Sequence, residues 1–375
     1  MDRNKEDFVL FTGHEAKLDK RHLRKQPKPT FRNLEDSMVP IHKQIARKWV
    51  FPTIMGIGAE RWRFQPSPLG YLILCYHGVA RTSSLPYNGR HIERNIFEKH
   101  LQYYRRYFDV LPLDEVFARV GEERLAERPT LAITFDDGYL NNLQEALPLL
   151  AKYEMPATVF ALGGALDGSI QRVWTDTLDM LRVMRAGEGI EWDGQTFRLR
   201  ANHYYADSGK HIYDYFQTYA RGERDPQIAA LGKKYALEAW VEQKAPDFWR
   251  LMSPSQLQAL DASAWVDVQF HTHSHYDLAF REAAEIKTEL SAGKKALESL
   301  LQHEVHSLAF PFGRYTQQVK EIARELGFKQ QLALAYQLDA DKQETDILPR
   351  LNVSGTTNYY SQIIHLRRTW QKLGV

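Results

Sequence analysis

From Tyr71 onward, short apolar runs recur along the chain, separated by stretches with helical spacing. Leu72-Ile73-Leu74-Cys75-Tyr76, Thr130 to Phe135, Ala157-Thr158-Val159-Phe160-Ala161 and Ser307 to Pro311 are bounded runs of strand length. Trp265 to Phe270 alternates apolar and polar side chains, the period of a strand with one buried face. Between them, Ile96 to Phe108, Asn142 to Tyr153 and Arg281 to Leu301 read as helices, the last with Ile286, Leu290, Leu297 and Leu301 on one face. Strands alternating with helices predict an α/β fold on a parallel sheet, and this many repeats predict barrel-like closure. Ligands in such folds bind at the C-terminal ends of strands.

Two regions depart from the alternation. Residues from about Gly163 to Gln258 are rich in Trp, Tyr and charge, and they predict a largely helical insertion after the Ala157–Ala161 strand. Residues 1–70 form a basic N-terminal extension, with fourteen Lys/Arg against eight Asp/Glu. Within it, Ile41, Ile45, Trp49, Ile54, Ile57 and Trp62 interleave with Lys43, Arg47, Lys48, Arg61 and Arg63. Residues 41–64 therefore read either as a helix packed on the main domain or as a basic amphipathic contact with an anionic membrane surface. The expected division is 1–70 for the extension and 71–375 for the main domain.

Composition narrows the function. A hydrophobic content of 43% supports a sizeable core, and 12% aromatic residues argue against disorder. The net charge of +2 makes nucleic acid an unsuitable main partner. Cys75 is the single cysteine, so no intrachain disulfide forms. No apolar h-region follows Met1, and no run approaches the ~18 apolar residues of a spanning helix. The expectation is a cytoplasmic protein, or one peripheral to the inner membrane face.

The candidate chemistry sits at two strand ends. Thr134-Phe135-Asp136-Asp137-Gly138 delivers adjacent carboxylates to a turn. His271-Thr272-His273-Ser274-His275 follows the Trp265–Phe270 strand with three imidazoles. Two neutral imidazoles and one carboxylate hold a divalent cation and leave a position open for water.

These two motifs, in this order, resemble the first two of the polysaccharide deacetylases of carbohydrate esterase family 4. Phe310-Pro311-Phe312-Gly313 is similar to the family's third motif, an aromatic-Pro-aromatic-Gly turn. The resemblance spans roughly Tyr71 to Val353 and implies a distorted (β/α) barrel carrying the helical insertion and the basic extension. It implies Asp137, His271 and His275 as metal ligands, with Zn the expected ion and Co, Ni, Fe or Mn as alternatives. It also implies Asp136 as general base and the Phe312 N–H as an oxyanion donor. Such a donor contributes ~3–4 kcal/mol. Ala309 stands where many members carry an Arg that orients the base, and Arg350 is the candidate replacement. Leu74-Cys75-Tyr76-His77-Gly78-Val79 resembles the strand-end Tyr-His of circularly permuted deacetylases acting on poly-N-acetylglucosamine-like exopolysaccharides, which points to His77 as general acid.

Neighbouring residues admit blander readings. His273 is expected outside the metal shell, Cys75 in the core, and Tyr139, Asn141 and Asn142 at the start of the next helix. Trp174 and Asp176 read equally as sugar-cleft lining or as insertion core. The expected activity is metal-dependent removal of N-acetyl groups from N-acetylhexosamine units of a glycan, lipid-linked, nucleotide-linked or free. The alternatives are an amide hydrolase for a small cyclic amide or formamide on the same scaffold, and a catalytically silent carbohydrate-binding protein.

Overall fold

Eight parallel strands carry the fold of the computed structural model: β1 (Tyr71–Tyr76), β2 (Thr130–Phe135), β3 (Ala157–Ala161), β4 (Val266–Phe270), β5 (Ser307–Ala309), β6 (Gln330–Ala333), β7 (Ile347–Pro349) and β8 (Leu351–Asn352). Neighbours in the sheet follow chain order from β1 to β7, and β8 returns to pair with β1. Since only Arg350 separates β7 from β8, the sheet closes almost completely into a barrel. The short strand Asp109–Val110 pairs with the start of β2, below the point where β3 joins it.

The structure describes residues 70–373, apart from 84–87, 123–127, 186, 201–202, 221 and 246. The chain divides into two units, Met1–Val39 and Pro40–Val375, and all described residues lie in the second. Of the basic extension 1–70 only Gly70 is described, and the segment 41–64 lies outside the described residues. Among the described residues no helix is long and apolar enough to cross a membrane.

The strands are apolar on both faces because both are covered. Leu72, Leu74 and Tyr76 of β1 and Leu131, Ile133 and Phe135 of β2 face an outer helical layer. That layer includes Arg94–Tyr107, Ala283–Leu301 and Tyr359–Leu373, which contribute Phe97, Leu101, Ile286, Leu290, Leu297, Ile363 and Trp370. Each such fully buried side chain stabilises the fold by about 1.5–3 kcal/mol. The alternate residues Tyr71, Ile73, Ala132, Phe160, Ala309, Leu332 and Leu348 fill the barrel interior. Leu113, Val116 and Phe117 of the helix Leu113–Gly121 pack beneath them.

The segment between β3 and β4 is largely helical, as expected, and it also holds a small antiparallel sheet that the sequence pattern does not announce. Helices Trp174–Met184, Ile212–Phe216, Arg224–Lys234, Leu237–Lys244 and Pro254–Asp261 accompany an antiparallel sheet of Ile190–Trp192, Gln195–Arg200 and His203–Ala206. Gln195–Arg200 does alternate, with Phe197 buried between the half-buried Thr196 and the exposed Arg198, but the run is too polar to stand out from a helix surface.

Candidate active site

Strand periodicity places most of the site. Successive strand side chains point to opposite faces, so the interior set that includes Ile73 and Ala132 continues upward through Cys75 and His77, and through Thr134 and Asp136. On β4 the outward set is Val266, Val268 and Phe270, which turns His271 inward. Arg350, at the junction of β7 and β8, follows the interior residue Leu348 by two. The motif residues thus meet at the C-terminal end of the barrel, where the backbone leaves regular strand geometry. Asp137, Thr272, His275 and Phe312 all have positive φ, between 53° and 72°. Strained backbone of this kind persists only where surrounding contacts fix it.

Asp137, His271 and His275 converge. Their ligand atoms lie within 4.8 Å of one another, and all three residues are buried. His271 Nε2 and His275 Nε2 stand 3.5 and 3.4 Å from Asp137 Oδ1. Those separations exceed a hydrogen bond but match the edge of a coordination polyhedron. Two bonds of ~2.0–2.1 Å at a tetrahedral angle set their ligand atoms roughly 3.3–3.4 Å apart. His271 Nδ1 bonds the Ala309 carbonyl at 2.8 Å, which fixes the tautomer with the Nε2 lone pair facing Asp137. Asp137 Oδ1 is buried without a hydrogen-bond partner.

The electrostatics also suit a cation. Burial lowers the affinity of both His271 and His275 for protons, leaving the neutral imidazoles that ligation needs. Burial, reinforced by the Asp136 and Asp176 carboxylates, pushes the Asp137 carboxyl well above its usual range. A divalent ion between these groups would reverse that shift. The residues present therefore fit a metal.

Asp136 has a different partner. Arg350 clamps it bidentately, Nη1 to Oδ1 at 2.6 Å and Nη2 to Oδ2 at 2.7 Å, and also reaches Thr134 Oγ1 at 3.1 Å. Burial raises the Asp136 carboxyl, but Arg350, His271 and His77 together hold it below its ordinary value. Cys75 Sγ lies 3.3 Å from Asp136 Oδ2, so this core residue also borders the site. His77 is half-buried, with a ligand atom within 4.8 Å of those of Cys75 and Asp136. Burial brings its pKa down to about 4. Phe312 occupies the turn Pro311–Gly313, and its ring packs against His275 with centroids 5.0 Å apart. His273 turns away from the cluster toward Asp167, 3.7 Å distant, and Ser169.

Arg224, Glu289 and Arg90 escaped the sequence reading, whereas Trp174, Asp176, Tyr139 and Asn141 were noted in it. The fully buried Arg224 donates to the carbonyls of Ser274 and His275, and Trp174 Nε1 also donates to the His275 carbonyl at 3.2 Å. Glu289 accepts from the Ser274 N–H. Trp174 and Asp176 are themselves buried and so belong to the packed wall of the site. Arg90 bonds both Asp176 and Asp179, while Tyr139 Oη donates to Asp176 at 2.7 Å. Asn141 receives the Val79 N–H and donates to the Asp247 carbonyl, more than the helix start expected of it.

Comparison with known proteins bears on the family and the fold. The polysaccharide deacetylase family model matches residues 124–200 and 222–331. YxkH of Bacillus subtilis (strain 168), named for the same family, is 30% identical over 106 residues, which are 28% of this chain and 36% of that protein. The chain thus aligns with only about a third of that relative's length. Among solved structures, the Streptococcus pyogenes deacetylase PplD superposes with a TM-score of 0.50 at 17% identity, covering 78% of this chain and 96% of PplD. IcaB from Ammonifex degensii gives a TM-score of 0.49 at 18% identity, over 80% and 97% of the two chains. The matched segments carry both strand-end motifs and the third-motif turn, and the barrel is shared with PplD; the chain belongs to the polysaccharide deacetylases of carbohydrate esterase family 4.

Proposed function

We propose that the protein is a metal-dependent hydrolase that removes N-acetyl groups from N-acetylhexosamine units of a glycan. The observation that carries this is the spacing of Asp137 Oδ1 from His271 Nε2 and His275 Nε2, at 3.5 and 3.4 Å. These three residues hold the cation, for which zinc is our choice and cobalt, nickel, iron or manganese are substitutes. A divalent cation supplies Lewis acidity, polarising an acyl oxygen and acidifying a water.

The remaining chemistry belongs to the chain. Asp136, oriented by Arg350, takes the proton of the attacking water, a role in which general bases contribute ~10²–10⁴-fold. The Phe312 N–H donates to the oxygen on which negative charge develops. His77, neutral in the resting site, receives the proton that Asp136 has taken from the water and passes it to the amine nitrogen as the bond from that nitrogen to the acyl carbon breaks.

Acetate release from N-acetylglucosamine oligomers is expected to vanish on chelation and return with Zn²⁺ or Co²⁺. A His271→Ala/His275→Ala protein that still releases acetate would refute the metal assignment.

A further inference from the structure

The proposed acid is held differently from the proposed metal ligands. His77 Nδ1 is buried and has no hydrogen-bond partner among the described residues. With no bond at that nitrogen to orient the ring, the imidazole is placed by the backbone that carries it. That backbone leaves β1 and enters a short parallel pair, Gly78–Ala80 beside His91–Glu93.

Residues just after Asp137 grip this pair. Asn141 Oδ1 accepts from the Val79 N–H at 3.2 Å, while its Nδ2 donates to the Asp247 carbonyl at 2.9 Å. The Tyr139 ring packs on the His91 ring, centroids 4.6 Å apart. His91 lies flush on Gly78, where a Cβ would collide with the imidazole and stand 2.8 Å from Asn141 Oδ1. Tyr139 Oη also donates to Asp176, the carboxylate that receives the Arg90 guanidinium. The Arg90 carbonyl in turn accepts from the Gly78 N–H at 3.2 Å. Tyr139 and Asn141 are both buried, so water competes little for these bonds. Side chains two and four residues past a proposed metal ligand thus fix the backbone immediately past the proposed acid.

We propose that Asn141 and Tyr139 are positioning residues for His77, locking its turn to the one that carries Asp136 and Asp137. The proposal rests on the hydrolytic reading above and assigns both side chains to departure of the amine rather than to attack by water. In the amide reaction the bond from nitrogen to the acyl carbon breaks with its electron pair on nitrogen, and the proton from His77 completes the neutral amine. A nitrophenolate leaves an acetate ester as a stable anion, so that bond breaks without a proton.

The test compares a tetramer of N-acetylglucosamine with 4-nitrophenyl acetate. Asn141→Leu keeps the side chain's bulk and removes both of its bonds. Its kcat on the tetramer should fall roughly 10–100-fold with KM little changed, while the ester rate stays within about twofold of wild type. Asn141→Asp keeps the acceptor for Val79 and should recover most of the tetramer rate. Tyr139→Phe should show the same split at roughly threefold, and it carries the test if Asn141→Leu does not fold. Parallel losses on both substrates, or no loss on the tetramer, would overturn the proposal. Hydrogen exchange at the Gly78 amide reads the turn without any substrate and should quicken about tenfold in Asn141→Leu. Unchanged exchange would mean that the turn holds itself, and the proposal falls. Should the wild type release no acetate from the tetramer, the hydrolytic reading fails, and the exchange measurement alone decides whether Asn141 holds the turn.

Discussion

At the scale of single residues, the least expendable contact is the buried pair Arg350–Asp136. Both side chains are almost wholly withdrawn from water, and the fork geometry satisfies both carboxylate oxygens. Removing one member of such a pair strands the other charge, at about 3–5 kcal/mol of stability. Arg350→Met should therefore unfold at clearly lower urea concentration than wild type, and the Asp136→Asn/Arg350→Met double variant should recover much of the difference. Equal instability in the single and double variants would show that the loss lies elsewhere than in the stranded carboxylate. The residues of this site differ in how legible they are. Asp136, Asp137, His271 and His275 can be picked out because few side chains ligate metals or move protons, and their spacing is local. Arg350 was reached only through a gap, Ala309 standing where a cation was wanted. Arg224 and Arg90 carry no such mark: each acts on residues at least 50 positions away, and only the fold discloses it.

At the scale of elements, strands were recognised where apolar runs were long and missed where they were short or polar. β1, β2, β3 and β4 fall where the hydrophobic pattern places them. β6, Gln330-Gln331-Leu332-Ala333, opens on two glutamines whose side chains are used at the base of the barrel. Gln330 accepts from Ser307 at 2.7 Å and donates to Asp114 at 2.9 Å, and Asp114 also meets His306 Nε2 at 3.0 Å. This contact fastens the helix Leu113–Gly121 to the start of β5. The hydrogen bond to Asp114 is the main reason His306 sits above its ordinary pKa, with Asp267 and Glu304 adding to it. The same bond lowers Asp114. The His306 contribution is complete below the unfolded value of about 6.5 and fades as pH rises through the folded value. The Asp114 contribution is complete above about 4 and fades as pH falls. Because Asp114 is largely exposed, the pair contributes only about 0.5–1 kcal/mol. His306→Gln should accordingly lower the melting temperature most between about pH 4.5 and 6 and hardly at all at pH 9. A gap independent of pH would remove the charge from this account.

At the scale of the whole molecule, the barrel alone does not complete the site. The strand ends place Asp137 and His271, but His275 lies in a left-handed turn beyond β4 that no strand pairing holds. That turn is fixed from the segment between β3 and β4. Trp174 and Arg224 both donate to the His275 carbonyl, and Arg224 packs its guanidinium over the Trp174 and Tyr276 rings at 4.9 and 3.9 Å. The insertion is thus part of the framework that holds the proposed metal ligand His275. Arg224→Met keeps the side chain's length and apolar stem while removing all of its donors. Loss of partners that orient a ligand typically costs 10–100-fold in metal affinity. Zinc competition against a chromophoric chelator should show a weakening of that size for Arg224→Met. Trp174→Phe, which keeps the ring and removes one donor, should weaken zinc less. Circular dichroism of both variants would establish that the barrel is intact. If a folded Arg224→Met protein holds zinc as tightly as wild type, the turn is rigid by itself and the insertion serves the substrate alone.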